Sequence, residues 1–216
     1  MYTKPISPSS KKLFKECPKR WEWVYVHGNR EESGDAAKRG TDLHEKLEQF
    51  FLGEPYPQDK ALRSWEPFMN ALREGAPSPE AKLAVNAQWE PVEFDCPTAY
   101  YRGITDLKAL EDSTLNVWDW KSGRVYEEAH KSQGEDYVCI APPVANKYVV
   151  RFVYLDHYPK VTTYTYTAQE REGMILALRA EVERIRTVDV YEATPGDACK
   201  WCPLSWRKGG ECKDAP

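Results

Sequence analysis

The 216-residue sequence contains no run of about 18 apolar residues, the length that a membrane-spanning helix needs. Its first residues, MYTKPISPSS, lack the apolar core of a secretion signal. We find no internal repeat and no low-complexity tail. These absences lead us to expect a soluble, cytoplasmic protein with no membrane partner.

An excess of positive charge is also missing, since the formal net charge is -4. This excludes a protein that coats nucleic acid through bulk basicity, so any contact with DNA has to use local patches. One basic segment, KKLFKECPKR, begins at Lys11 and ends at Arg20. It suits a phosphate backbone and a solvated helix face equally well.

The chain is long enough to bury a sizeable core, and its eight tryptophans and thirteen tyrosines favour a folded protein. Apolar periodicity predicts helices and strands, with a polar stretch between Gly28 and Gly40. The predicted helices are one capped by Ser9 or Ser10 and running through Trp21, then Thr41–Leu52, Ala61–Arg73, Tyr126–Ile140 and Ala168–Arg186. The predicted strands are Leu83–Phe94, Tyr100–Leu110, Leu115–Lys121 and the segments YVVRFVYL and VTTYTYT.

The segment GITDLKALEDSTLNVWDWKSG predicts a hairpin whose turn is centred between Asp112 and Ser113. In this register Asp106 lies directly across from Asp119, and Lys121 lies beside Asp119 on the same face. Directly opposed like charges destabilise a sheet, so a cation would offset the cost. Two carboxylates and a lysine are also the grouping that metal-assisted hydrolysis uses. The alternative is the solvated face of an ordinary hairpin.

Six cysteines are present, but a reducing compartment argues against a disulfide framework. Cys96 and Cys139 stand alone and are expected to be packed thiols. The segment CKWCPLSWRKGGEC has C-x2-C spacing and a third cysteine, and ECPKRW supplies a fourth. Four thiolates suit either a tetrahedral zinc ion or an iron-sulfur cluster, and spacing does not choose between them. Alternatively, the last three cysteines use another ligand or bind nothing.

Six motifs occur in one order along the chain: SPSSKKLFKECPKRW, RGTDLHEKLEQFF, GITDLKAL, VWDWKSG, SQGEDYVCIA and CKWCPLSWRKGGEC. Together they resemble the RecB-like branch of the PD-(D/E)XK nucleases. Within that branch they look most like the short iron-sulfur exonucleases, including CRISPR-associated and phage-borne members, and the cluster-bearing nuclease domain of AddB.

The resemblance implies an α/β fold with a restriction-endonuclease-like core, in which helices flank a mixed central sheet. It implies a single nuclease domain over residues 1–216, with an N-terminal helical segment at 1–27, a catalytic sheet core at 83–166 and a cysteine-rich iron-sulfur segment at 187–216. An iron-sulfur clasp would join the N-terminal helix to the C-terminal tail. The matching ligands of a [4Fe-4S] cluster are Cys17, Cys199, Cys202 and Cys212.

The resemblance also implies roles for the hairpin residues. Asp106 matches the first metal-binding aspartate of the family, Asp119 the acidic residue of D-x-K, and Lys121 its lysine. The main-chain carbonyl of Trp120 and the side chain of His44 would complete a site for Mn2+ or Mg2+. By itself, a histidine beside an apolar helix stripe is an ordinary core or surface residue.

Gln133 and Tyr137 match the helical Q-x3-Y motif, which in the family lies beside the active site and helps position DNA or the catalytic lysine. Their i, i+4 spacing puts both on one helix face, where they could equally be ordinary polar and packing residues. Some family members place a further acidic residue on the strand before the hairpin. Glu90 and Glu93 are both candidates, and the alignment does not choose between them.

The function implied is metal-dependent hydrolysis of DNA by an exonuclease acting on single strands from the 5′ end. The implied partners are single-stranded DNA and recombination, helicase or CRISPR integration proteins. Two alternatives stay open: a cluster- or zinc-stabilised DNA-binding or adaptor protein with little or no nuclease activity, and a small zinc-ribbon-tailed structural protein.

Overall fold

A five-stranded mixed sheet with the order β1-β2-β3-β4-β5 forms the core of the fold. The strands are β1 (Ser78–Val85), β2 (Tyr101–Glu111), β3 (Thr114–Lys121), β4 (Lys147–Tyr154) and β5 (Val161–Thr167). Neighbouring strands are antiparallel except for β3 and β4, which are parallel. A parallel pair needs a long crossover connection, and the helix between β3 and β4 provides it.

The computed structural model describes residues 2–30 and 34–214, so the predicted segments that include residues 1, 31–33, 215 and 216 extend beyond it. Its helices are α1 (Pro8–Glu16), α2 (Pro18–Trp21), α3 (Asp35–Leu52), α4 (Glu66–Glu74), α5 (Glu127–Ile140) and α6 (Ala168–Thr187). Among the described residues, no helix is both long and apolar enough to cross a membrane. The α/β architecture with a mixed sheet and flanking helices confirms the predicted fold class.

The chain forms two compact units. The first unit combines Met1–Glu32 with Arg179–Pro216, and the second is Ser33–Leu178. The second unit therefore contains the whole sheet, and α6 crosses the boundary. The first unit contains both ends of the chain.

Both faces of the sheet in the second unit are covered by apolar side chains. On one face, Trp118 and Trp120 pack in a cluster with Leu43 and Leu47 of α3. On the other face, Val117 packs in a cluster that contains residues of α5 and β4. Because β3 is buried along nearly its whole length, the alternative of a solvated hairpin face is wrong for this strand.

A buried tryptophan organises the first unit. The ring of Trp21 lies 4.8 Å from that of Tyr2, 5.4 Å from that of Phe14 and 5.6 Å from that of Tyr191, measured between centroids. Its indole nitrogen donates a hydrogen bond to Ser10 Oγ at 2.8 Å. These contacts join the N-terminal helices to the segment that follows α6.

The first predicted helix differs from the observed one at both ends. Its cap is Ser7, not Ser9 or Ser10, because the Ser7 hydroxyl accepts a hydrogen bond from the Ser10 amide and Pro8 takes the first helical position. The helix then stops at Glu16. Cys17 is extended because the residue before a proline avoids the helical conformation.

Three other predicted boundaries are wrong. Helix α4 begins at Glu66, five residues after the predicted start at Ala61, because a separate 3-10 turn, Arg63–Trp65, precedes it. The first strand is Ser78–Val85 rather than Leu83–Phe94, because the Asn86 side chain accepts hydrogen bonds from the amides of Gln88 and Glu90 and closes a turn there. Helix α3 begins at Asp35, within the predicted polar stretch and six residues before the predicted start at Thr41. The helices and strands after Tyr100 lie within a residue or two of their predicted bounds.

Candidate active site

The two predicted metal-binding aspartates lie where β2 and β3 separate. The paired residues run from Glu111 and Thr114 to Leu107 and Trp118, which confirms the predicted register. Asp106 and Asp119 lie one step beyond the last of these pairs. There, Asp106 Oδ2 accepts a hydrogen bond of 2.6 Å from the main-chain amide of Trp120. A carboxylate therefore bridges the strands beyond the last backbone pair.

Both carboxylates are withdrawn from water. The side chains of Asp106 and Asp119 are 12% and 3% exposed. Burial raises the pKa of Asp106, and the charge of Asp119 adds to this shift. Two buried like charges cost free energy, so the pair is a place where a bound cation would be strongly favoured.

His44 reaches the acidic pair from α3, whose apolar stripe faces the sheet. Its Nδ1 lies 3.0 Å from Asp106 Oδ1, within hydrogen-bond distance. Burial alone would lower the pKa of His44, but the hydrogen bond with Asp106 and the charges of Asp106 and Asp119 outweigh it and raise the pKa. The structure thus brings the predicted histidine to the first aspartate.

Lys121 stands against the second aspartate, as predicted. Its Nζ lies 2.5 Å from Asp119 Oδ2 and donates a hydrogen bond of 2.8 Å to Gln133 Oε1. The lysine side chain is 18% exposed, so its ammonium group is held in place while still open to one side. A fixed cation of this kind can stabilise negative charge that develops on a reacting group.

The Q-x3-Y residues of α5 connect this lysine to the carboxylate. Gln133 Nε2 lies 3.2 Å from Asp119 Oδ1, and the Tyr137 hydroxyl donates to the same oxygen at 3.0 Å. Burial and the charge of Asp119 raise the pKa of Tyr137 well above its usual range, so its hydroxyl remains a donor. The structure thus brings Gln133 and Tyr137 into hydrogen-bond contact with the second aspartate, and Gln133 also with its lysine.

Gly134 allows α5 to approach the sheet at this point. A Cβ at this position would lie 3.1 Å from Val150 Cγ1 and 3.2 Å from the ring of Phe152. Both neighbours are buried residues of β4. Close packing of the helix on β4 therefore helps to set the distance between Gln133 and the carboxylates.

Sequence reasoning missed one acidic residue of the site, Glu80 on β1. The pairing of β1 with β2 extends from Ser78 to Val85 but skips Glu80, whose φ is 44°. Burial raises the pKa of Glu80, and the charge of Asp106 adds to this shift. Glu80 lines an open cleft of about 510 Å³ together with His44 and Asp106.

The two earlier candidates for this acidic position are excluded by their place in the fold. Glu90 and Glu93 lie in the turns after β1, and both are exposed. Their predicted strand, Leu83–Phe94, ends at Val85. A signal for Glu80 existed in the sequence, because PSPE places a carboxylate at the start of the strand before the hairpin.

An ion pair fixes the turn that follows Lys121. Arg39 of α3 donates to both oxygens of Asp156, at 2.9 and 2.5 Å, and the amide of Gly123 donates to Asp156 Oδ2 at 2.6 Å. Gly123 has a φ of 79°, a conformation that favours glycine. The helix that carries His44 is thereby tied to the loop that leaves the D-x-K strand.

In the part of the chain described, no three or more histidine, cysteine, aspartate or glutamate side chains are gathered around one metal position. The available donors nevertheless fit a divalent cation. Asp119 Oδ2 is buried and accepts no hydrogen bond among the described residues, although Lys121 forms an ion pair with it. Carboxylate oxygens with one imidazole are suitable ligands for Mg2+ or Mn2+.

The four predicted cluster ligands line one pocket in the first unit: Cys17, Cys199, Cys202 and Cys212. The amide of Thr194 donates to the Cys17 sulfur at 3.5 Å, and that of Gly196 donates to the Cys199 sulfur at 3.4 Å. Such donors stabilise metal-bound thiolates. All six cysteines lie in the described part of the chain, and none forms a disulfide.

Comparison with known proteins agrees with this geometry. A sequence model described as the PD-(D/E)XK nuclease superfamily matches residues 5–207, nearly the whole chain, so the protein belongs to that superfamily. Its members are typically nucleases that use Mg2+ or Mn2+. No curated protein matches the chain.

The fold has a counterpart among solved structures. The crystal structure of SSO0001 aligns with a TM-score of 0.51 and 16% sequence identity, over 95% of this chain and 86% of that one. At this level of identity the likeness concerns the fold alone.

Proposed function

We propose that this protein is a metal-dependent exodeoxyribonuclease of the RecB-like iron-sulfur branch, which degrades single-stranded DNA from the 5′ end. The observation that carries the proposal is the pair of buried carboxylates, Asp106 and Asp119, with His44 on one and Lys121 on the other. Burying two like charges side by side costs stability even with these partners, and a bound cation would offset that cost.

His44, Asp106, Asp119 and the main-chain carbonyl of Trp120 would hold the cation, and Glu80 is placed to assist from β1. A bound Mn2+ or Mg2+ supplies polarisation of the scissile phosphate and a water of lowered pKa. Because imidazole is a better ligand for manganese than for magnesium, we expect Mn2+ to support the higher activity.

The chain's own residues then orient the reaction. Lys121 places its ammonium beside the carboxylate pair, where it would stabilise charge on the phosphate or position the attacking water. Gln133 receives a hydrogen bond from this lysine and lies against Asp119, so it fixes both groups in one arrangement. Tyr137 holds the Asp119 carboxylate from the side of α5. Preorganisation of this kind lowers the barrier because little reorientation remains for the reaction itself.

The pocket lined by four cysteines would hold a [4Fe-4S] cluster with a structural role, joining α1 and α2 to the C-terminal segment. Its support is the convergence of Cys17 with three cysteines that lie more than 180 residues further along the chain. In a cell, such a nuclease would work with recombination, helicase or CRISPR integration proteins.

The test is digestion of single-stranded DNA labelled separately at either end, with Mn2+, Mg2+ or EDTA. Lys121→Ala is compared with the control Lys147→Ala. Lys147 is an exposed lysine at the start of β4, whereas Lys121 pairs with Tyr154 at the other end of that strand. We expect metal-dependent release of label from the 5′ end, a loss of at least about a hundredfold in Lys121→Ala, and no change in Lys147→Ala. Absence of cleavage by protein with its cluster intact would favour the binding or adaptor alternative.

A further inference from the structure

Two tryptophans in the C-terminal segment are strongly exposed. Trp201 is 77% exposed and Trp206 is 53% exposed, whereas Trp21, Trp65 and Trp120 are at most 1% exposed. A large aromatic side chain left in water forgoes the free energy of burial, and a group of such side chains on one surface can mark an interaction site. Neither residue has a part in the nuclease site proposed above.

Backbone hydrogen bonds hold the segment around Trp206 in a defined loop. The amide of Trp206 donates to the carbonyl of Cys212 at 3.2 Å, and the amide of Cys212 donates to the carbonyl of Leu204 at 2.8 Å. Gly210 donates to Ser205 O at 3.0 Å, and a Cβ at Gly210 would collide with the Leu204 backbone. The loop between two buried cysteines therefore presents Trp206 outward by its geometry.

A cation accompanies each ring. The guanidinium of Arg207 lies 5.5 Å from the Trp206 ring centroid, and Lys208 Nζ lies 5.9 Å from that of Trp201 and donates to its carbonyl at 3.2 Å. Within residues 2–30 and 34–214, neither cation forms an ion pair with a carboxylate. Since Arg207 and Lys208 are consecutive, the two rings belong to one surface.

We propose that this surface, the aromatic platform of Trp201, Trp206, Arg207 and Lys208, binds single-stranded polynucleotide by stacking unpaired bases on its indole rings. Unpaired bases expose their faces, whereas a duplex hides them, and the neighbouring cations match the phosphate charge. Every base has a π face, so binding is tolerant of sequence. The inference deepens the proposed function, because the same polymer is the proposed substrate.

The test measures binding without cleavage. Fluorescein-labelled oligo(dT), oligo(rU) and a blunt duplex are titrated in EDTA and followed by anisotropy. Stacking contributes about 1–3 kcal/mol per base, so we expect the double variant Trp201→Ala/Trp206→Ala to bind oligo(dT) at least about tenfold more weakly. Trp201→Phe/Trp206→Phe should recover much of this loss, and Leu176→Ala, which removes another exposed apolar side chain, should match wild type.

Two further arms keep the test decisive. Arg207→Gln/Lys208→Gln should reduce the slope of log K against log salt by about 1.4, the value for two phosphate contacts on a single strand. Oligo(dT) containing 5-iododeoxyuridine should crosslink to Trp201 or Trp206 of unaltered protein, which mass spectrometry locates even if an alanine variant folds poorly. We expect equal losses with oligo(dT) and oligo(rU), because stacking contacts the base and not the sugar.

The inference is overturned if the alanine variant binds oligo(dT) within twofold of wild type, if crosslinks fall only outside Trp201–Lys208, or if unaltered protein binds no single strand. Unchanged binding would point to a protein partner for the platform. Because these measurements are made in EDTA, their failure is distinct from failure of the nuclease proposal. A protein that binds single strands through the platform but does not cut them would contradict only the nuclease proposal.

Discussion

Asp106 accepts a hydrogen bond from the amide of Trp120, the residue between Asp119 and Lys121 in the D-x-K sequence. One carboxylate on β2 therefore fixes the backbone that presents both the other carboxylate and the lysine. It also contacts His44 through its second oxygen. Asp106 thus serves the geometry of the site as well as its charge.

We expect Asp106→Asn to stabilise the protein in EDTA and to abolish the stabilisation by Mn2+. The substitution keeps an acceptor for the Trp120 amide and removes one of two buried like charges, for a gain of about 1 kcal/mol. In wild type, Mn2+ at a hundred times its dissociation constant should add about 2.7 kcal/mol. Thermal unfolding with and without Mn2+ measures both effects, and an equal Mn2+ shift in the variant would contradict the assignment.

The same residue should shape the pH dependence of metal-free stability. The pKa values of Asp106 and His44 are both raised in the folded protein, which therefore binds more protons than the unfolded chain. Stability in EDTA should fall as pH rises above about 4, the unfolded aspartate pKa, and again above about 6.5, the unfolded histidine pKa, until both groups have lost their protons in the folded protein. Denaturant unfolding across this range should give a flatter profile for Asp106→Asn; an identical profile would refute the coupling.

We expect Tyr137→Phe to lower nuclease activity about tenfold and stability by about 1 kcal/mol. The hydroxyl donates to Asp119, and its loss removes one hydrogen bond from a buried carboxylate. The matched control is Tyr148→Phe on β4, whose hydroxyl makes only a 3.4 Å contact with the Pro142 carbonyl. Single-turnover cleavage rates should separate the two variants, and equal rates would remove Tyr137 from the site.

A buried arginine should be essential for the position of α5. Arg171 of α6 donates to the carbonyls of Val138, Cys139 and Ala141, at the end of the helix that carries Gln133. We expect Arg171→Met to cost about 3 kcal/mol, because it leaves buried carbonyls without their charged donor. Urea unfolding provides the measurement, with the exposed Arg184→Met on the same helix as control. A loss below about 1 kcal/mol would show that the capping is unimportant.

The cysteine pocket makes a prediction about colour and stability. We expect the purified protein to be brown and to absorb near about 400 nm, and Cys202→Ser to lose this absorbance and to unfold at lower temperature. Cys96→Ser should change neither property, because Cys96 does not line that pocket. A colourless protein with stoichiometric zinc would show that the cysteines bind zinc and not a cluster. A protein without metal would show that they are packed thiols.

The hairpin register was predictable because it depends on local information: a turn at Asp112 and alternation on either side of it. Glu80 was overlooked although PSPE carries it, because β1 begins before its first apolar run and Glu80 lies at a left-handed position that strand pairing omits. The early end of β1 depends on hydrogen bonds made by one side chain, that of Asn86. The network that joins Lys121 to Gln133 depends on the packing of α5 on the sheet, which apolar periodicity does not specify.

Calorimetric titration of Mn2+ into wild type and Asp119→Asn at pH 7.5, with cleavage of single-stranded DNA measured on the same samples, tests directly whether the carboxylate pair binds the catalytic metal. We expect wild type to bind Mn2+ and to cut, and the variant to bind at least about tenfold more weakly and not to cut. Equal Mn2+ binding by both proteins, or cleavage by wild type in EDTA, would contradict a metal site built on the carboxylate pair.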